Sequence, residues 1–166
     1  MRRLTAVAGA ALMLTLSAGT APALDTTPRL SLEVAKKMAD ACEAKSVADG
    51  WKMNIAIMDA GANLIEFRRM DGSFLGSVDI AIGKARTSAR FPFPTRMVAE
   101  LAYGADAKGG PLPGIAEVDG IIAFAGGLPI MGGGAHVGAI GVSGGTADQD
   151  EQCAQAAIDA VAEDLK

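Results

Sequence analysis

Two stretches of this chain are apolar on both faces of a β-strand, and that property limits the fold more than any other. In "WKMNIAIMD", Met53, Ile55 and Ile57 fall on one face and Asn54, Ala56 and Met58 on the other. Side chains alternate along a strand, so a solvated face needs polar residues at every second position. The second face here is only weakly polar, which predicts a strand covered on both sides. "AHVGAIGVSG" reads the same way. Val137, Ala139 and Gly141 share one face whose side chains shrink toward the C-terminal end, leaving room for another backbone or a flat ligand. His136 faces the other way with Gly138, Ile140 and Val142.

The elements that must cover these strands are legible as periodicity. Ser31 is placed to cap a first helix on which Leu32, Ala35, Met38, Ala39 and Cys42 recur at helical spacing, ending near Gly50. Turn residues at 60–63 followed by "NLIEFRRM" predict a hairpin with the first strand. A second helix carries the stripe Val78, Ala81, Ile82, Ala85 and Ala89, leaving Lys84, Arg86, Thr87 and Arg90 on the remaining surface. It must stop at "FPFP", because proline disfavours helix in the residue before it. Thr95 is expected to cap a short third helix through Tyr103, followed by the loop "GADAKGGPLPG".

"GIIAFAGG" reads as a buried strand, and "LPIM" and "AHVGAIGVSG" as two more around the glycines at 132–134. Thr146 and Gln149 form a capping box that opens a last helix, with Cys153, Ala157, Ala160, Val161 and Leu165 on its apolar side. The order predicts an α+β domain with a mainly antiparallel five-stranded sheet and helices on both faces.

Residues 1–23 read as a signal peptide: Arg2 and Arg3, an apolar run from Leu4 to Leu16, then Ala21-Pro22-Ala23. The run is shorter than the roughly 20 residues a membrane-crossing helix needs. A periplasmic or secreted protein is expected, with residues 24–166 as one domain and no membrane span after the signal is removed. That removal takes two arginines and no acid, moving the formal charge from −4 to −6. So acidic a chain has no electrostatic footprint for nucleic acid. Two cysteines and one histidine are too few for a conventional all-protein transition-metal site, and no C-x-x-C-H is present for covalent haem. In an oxidising compartment Cys42 and Cys153 have one possible pairing, and cysteine is also an ordinary small core residue.

Neither nucleotide-loop glycine pattern occurs in the glycine-rich segment. Asp148, Asp150 and Glu151 at the start of the last helix complement its dipole and oppose an anion there. His136 is a candidate metal or cofactor ligand, although a histidine after a three-glycine turn is equally an ordinary polar residue. Arg68 and Arg69, with Lys84, Arg86 and Arg90, have the chemistry to hold a carboxylate or propionate, and equally that of a salt-bridged surface.

In this order, "MDAGANLIEFRRMDGS", "GSVDIAIGKARTSA", "AGGLPIM" and "VGAIGVSGGTADQDEQCA" resemble the GlcG/HbpS family, also called the haem-degrading domain family and related to the C-terminal domain of PduO. The resemblance runs from Leu30 to Leu165. It implies a profilin-like fold with five antiparallel strands, homo-oligomers from dimers to octamers, and non-covalent haem or tetrapyrrole binding linked to haem or iron handling. On that resemblance His136 is the best single axial ligand, with Arg68, Lys84 and Arg86 toward the cofactor; Met58, Met70, Met97 and Tyr103 are alternative ligands. The fold it implies packs the first and last helices side by side, and so favours a Cys42–Cys153 disulfide. The alternative function is an enzyme or accessory protein that binds a small carboxylate or aldehyde between the second helix and the glycine-bearing sheet, with Lys84 and Arg86 holding the anion.

Overall fold

The computed structural model describes residues 27–166, so the expected signal peptide lies outside the described residues. The order is α1 (Leu32–Asp49), β1 (Asn54–Asp59), β2 (Leu64–Arg69), α2 (Ser77–Arg90), α3 (Thr95–Tyr103), a 3-10 turn (Pro113–Glu117), β3 (Gly127–Gly132), β4 (Ala135–Ser143) and α4 (Ala147–Asp159). The sheet runs β2-β1-β4-β3 with every neighbour antiparallel. The doubly apolar strands β1 and β4 are therefore its two central members.

Their two faces are covered differently. On one, Ile55, Ile57, Ile140 and Val142 pack with Met38, Ala39 and Cys42 of α1 and with Cys153, Ala154 and Ala157 of α4. On the other, Ala56, Met58 and Ala139 meet Ala81, Ala85 and Ala89 of α2. Two of the three expected caps hold: the Ser31 hydroxyl accepts from the Val34 N–H at 3.2 Å, and Thr146 and Gln149 form the reciprocal box.

The sheet has four strands where five were expected. "GIIAFAGG" does not pair as a strand; it is held by side chains. The Ile122 N–H donates to the Thr87 hydroxyl at 2.9 Å, and Gly126 sits at φ +118°, so the ladder starts only at Gly127. Thr95 does not cap α3, whose N-cap is Pro94. Its hydroxyl instead accepts from the Gly127 N–H at 2.9 Å and fixes the start of β3. Leu32 is exposed, and so is Ala160, because α4 ends one residue before it.

The facial assignment in β4 also changes. Ile130 pairs with Gly138 but Met131 pairs with His136, leaving Val137 as an extra residue. This β-bulge reverses alternation. Val137 joins the α1/α4 core with Ile140 and Val142, whereas Ala139 and Gly141 face α2. His136 shares its face with its partner Met131, which alternates with the core residue Ile130. Paired residues of an antiparallel ladder lie on one face, so the imidazole is on the α2 side of the sheet.

Cys42 and Cys153 form a disulfide joining α1 to α4, with Cα atoms 4.8 Å apart and a sequence separation of 111. On the chain-entropy model a loop of about 110 residues stabilises by up to about 4 to 5 kcal/mol. Protein denatured without reductant is expected to show no reactive thiol. A Cys42→Ala, Cys153→Ala variant should lose several kcal/mol in urea unfolding, and two reactive thiols per chain in the parent protein would overturn the pairing.

Candidate functional site

α2 carries one long side chain into the interior. Lys84 is fully buried, although its place beside the Ala81/Ala85 stripe predicts solvent exposure. Its Nζ donates to the Val142 carbonyl at 2.9 Å and to Asp150 Oδ2 at 2.7 Å, and lies 4.6 Å from the centre of the Phe124 ring. The carbonyl, the carboxylate and the aromatic face take up its three donor directions. Asp150 Oδ1 accepts from the Gly145 N–H at 2.9 Å, so both carboxylate oxygens are engaged. The pair ties α2 to the end of β4 and the first turn of α4.

Burial pushes the Lys84 ammonium below its ordinary value of 10.5, while Asp150 and Glu151 oppose that shift. The space it occupies depends on Gly126. A Cβ there would sit 2.7 Å from Nζ and 2.7 Å from the Asp150 Cβ, and φ +118° disfavours any other residue. The pair escapes the sequence because Asp150, 66 residues away, reads as one of several acids complementing a helix dipole. One available signal is that Gly83, Thr87 and Ser88, which flank Lys84 on the helix, are all small. Small residues round a lysine mark a helix packed on more than one side.

An open cleft of about 300 Å³ reaches Asp150 and the Phe124 ring between the first turns of α2 and α4. Phe74, Ile80 and Phe124 form its apolar walls, and Ser143, Gly144 and Asp150 its polar side. Phe74 is 72% exposed and Phe124 41% exposed. The volume is at the lower end for small-molecule sites.

The residues expected at a site do not converge. Arg68, from β2, meets Asp40 at 2.5 Å and Glu43 at 2.7 Å on α1, across the sheet from α2. Lys84 is committed to Asp150. Arg86 is half-buried on α2 and makes no ion pair among the described residues. Asp148 and Glu151, unlike Asp150, hold Arg96 of α3. His136 stands at the other end of β4, where its Nε2 is buried without a hydrogen-bond partner among the described residues. Met131 beside it is half exposed. Among the alternative ligands, Met58 and Met70 are buried, Met70 Sδ accepting the Met53 N–H, while Met97 and Tyr103 are exposed on α3. No group of three or more metal-ligating side chains occurs among the described residues, and none of their helices is long and apolar enough to cross a membrane.

A family model described as haem degrading protein HbpS-like matches residues 30–159. An uncharacterized 15.0 kDa protein in the dhaT-dhaS intergenic region of Citrobacter freundii is 36% identical over 135 residues, covering 81% of this chain and 93% of that protein. The crystal structure of a double mutant of Streptomyces reticuli HbpS is similar with a TM-score of 0.73 and 32% identity, covering 89% of this chain and 97% of the other. A PduOC:heme complex is similar with a TM-score of 0.71 and 25% identity, covering 80% and 95%.

Removing one partner of a buried ion pair strands the other, at a cost of about 3 to 5 kcal/mol, whereas removing both costs less. Asp150→Ala and Lys84→Met should each destabilise strongly, and the double variant by clearly less than their sum. Additivity in denaturant unfolding would contradict a coupled pair. Because the folded-state value of Lys84 lies below 10.5, the unfolded chain binds the extra proton between the two values. Rising pH therefore favours the fold in that window. Lys84→Met should remove this contribution to the alkaline stability profile.

Proposed function

We propose a haem-binding role for this chain, which belongs to the HbpS-like family of haem-degrading proteins. The observation that carries the reading is the buried, unpartnered Nε2 of His136. A buried polar nitrogen without a partner carries a desolvation cost that coordination to iron relieves. Neutral imidazole is a common axial ligand, and thioether sulfur is another. His136 is therefore the residue that would hold the iron, with the half-exposed Met131 paired to it on the same face.

Attachment is non-covalent. Arg68 and Lys84 are already matched by carboxylates, whereas Arg86 makes no ion pair among the described residues, so of these three it is the group for a propionate. Haem would supply iron-centred redox and ligand-binding chemistry; the chain supplies the nitrogen, the cation and an apolar surround. Support also comes from the similarity to a protein crystallised as a haem complex. The leader-like first 23 residues place this activity in the periplasm or outside the cell in this reading.

Apo protein titrated with haemin should develop a shifted Soret band saturating at one haem per chain. His136→Ala should weaken binding by at least about tenfold, the equivalent of 1.4 kcal/mol. No Soret shift removes the haem reading, and unchanged affinity in His136→Ala removes the ligand assignment.

Assembly into a homo-oligomer is part of the same proposal. Val47, Leu64, Leu112 and Val118 are large apolar side chains left exposed, and assembly would cover such surface between subunits. Light scattering should give a mass above that of one chain, and a monomer mass at every concentration would exclude it.

A further inference from the structure

The haem reading leaves one buried nucleophile unused. Lys84 Nζ is enclosed by the Val142 carbonyl, the Asp150 carboxylate, Gly126 and the Phe124 ring. Three of these are fixed by the sheet, the ion pair and a glycine that no side chain replaces. The fourth is an aromatic lid on an irregular segment. That segment is anchored where the Ile122 N–H meets Thr87 and where the Gly126 carbonyl accepts from the Val142 N–H at 2.8 Å. Between these anchors Ala123, Phe124 and Ala125 make no hydrogen bond among the described residues.

The Phe124 ring is also the wall common to two open clefts. One, of about 300 Å³, runs past Phe74 and Gly144; the other, of about 330 Å³, runs past Tyr103 and Ala107. Asp150 already reaches the first cleft. A change of the Phe124 rotamer therefore places Nζ at the base of a cleft with apolar walls and a carboxylate beside the amine. Exposed aromatic side chains change rotamer on fast timescales, so the lid needs no backbone rearrangement.

We propose that Lys84 binds a small aldehyde with an apolar body covalently, as an imine, in the cleft between Phe74 and Phe124. Asp150 accepts a proton from the ammonium, and the freed amine adds to the carbonyl carbon. The carbonyl oxygen takes the proton back and then a second proton from the nitrogen, leaving as water while the C=N bond forms. The sum is one ammonium and one aldehyde giving one protonated imine and one water, with Asp150 returned to its carboxylate and no oxidant or reductant. Lysine amines made less basic by burial are the ones that form such adducts near neutral pH. Burial already shifts Lys84 in that direction. The sequence assigns Lys84 an anion-holding part; its burial and its engagement by Asp150 assign it a nucleophilic one instead.

The inference does not rest on haem binding, and the two can fail separately, because its readout is a mass on one peptide. The full chain is incubated with propionaldehyde and sodium cyanoborohydride at neutral pH, and digested peptides are weighed over time. The reagent's hydride reduces the imine to a stable propyl amine. Propylation of Lys84 is expected at least about tenfold faster than at the exposed Lys36, Lys52 and Lys108, because burial lowers the basicity of the Lys84 amine. Phe124→Ala, which removes only the lid, should increase the rate further with an unchanged circular dichroism spectrum. Modification of the exposed lysines with Lys84 untouched overturns the proposal and leaves a structural cation. Modification of Lys84 only in Phe124→Ala overturns it as well, since the ring is then a fixed wall.

Discussion

The close approach of α2 to the middle of β4 is the contact on which the other elements depend. A Cβ on Gly141 would collide with the Ala81 carbonyl and the Ala85 backbone N–H, so the helix lies directly against the strand. Ala81, Ala85 and Ala89 on the helix and Ala56 and Ala139 on the sheet keep the rest of the interface equally thin. Each alanine buries little apolar area, but dense packing multiplies weak dispersion contacts. The thin interface has a consequence on its flank. A lysine that would reach solvent from a more distant helix instead spans the edge of the strand to Val142 and Asp150.

The opposite face is built on the reverse principle. Met38, Met53, Ile55, Ile57, Ile130 and Ile140 fill a thicker layer beneath α1 and α4, and the Cys42–Cys153 disulfide joins the two helices inside it. Apolar burial supplies most of the driving force there. Asp150 connects the two regimes: it sits in the first turn of α4, whose Cys153 holds α1, yet its carboxylate crosses to the cation on α2. The sheet is thereby clamped between helices that are tied to α4 by the Lys84–Asp150 ion pair on one face and by the Cys42–Cys153 disulfide on the other. The buried cation and the two clefts that share Phe124 lie beside α2 and α3.

Helical stripes, hairpin turns and the Ser31 and Thr146 caps are legible because each is a local pattern with a local cause. The alternation in β1 needs only six residues to be read, and Thr146 with Gln149 needs only four. Apart from the Cys42–Cys153 disulfide, which the family resemblance implies, the features set by partners distant in sequence are not legible in it. "GIIAFAGG" is apolar enough for a strand, but Thr87 of α2 takes its N–H before the sheet can. Thr95 has cap chemistry that β3 uses instead. Alternation in β4 fails at Val137 because the bulge is defined by the pairing with β3, which no pattern within β4 discloses. Of the expected site residues, Cys42 and Cys153 meet, while His136, Arg68, Lys84 and Arg86 are dispersed over both faces. Basic residue types alone do not encode which carboxylates will claim them.

The bulge also determines how the two chemically interesting groups relate. Without the extra residue at Val137, His136 would follow Gly138 and Ile140 onto the α1/α4 face, away from α2. With it, His136 and the end of β4 that receives Lys84 belong to strands whose functional side is the same face of the sheet. Six residues separate His136 from Val142, which at about 3.3 Å per residue puts the two positions on the order of 20 Å apart. That distance exceeds any single side chain's reach and, at ordinary ionic strength, the Debye length of about 8 to 10 Å. A ligand on the imidazole and a ligand on the amine therefore interact only through the packed interface of α2 with β4, whose glycine and alanine contacts leave little room for either element to shift alone.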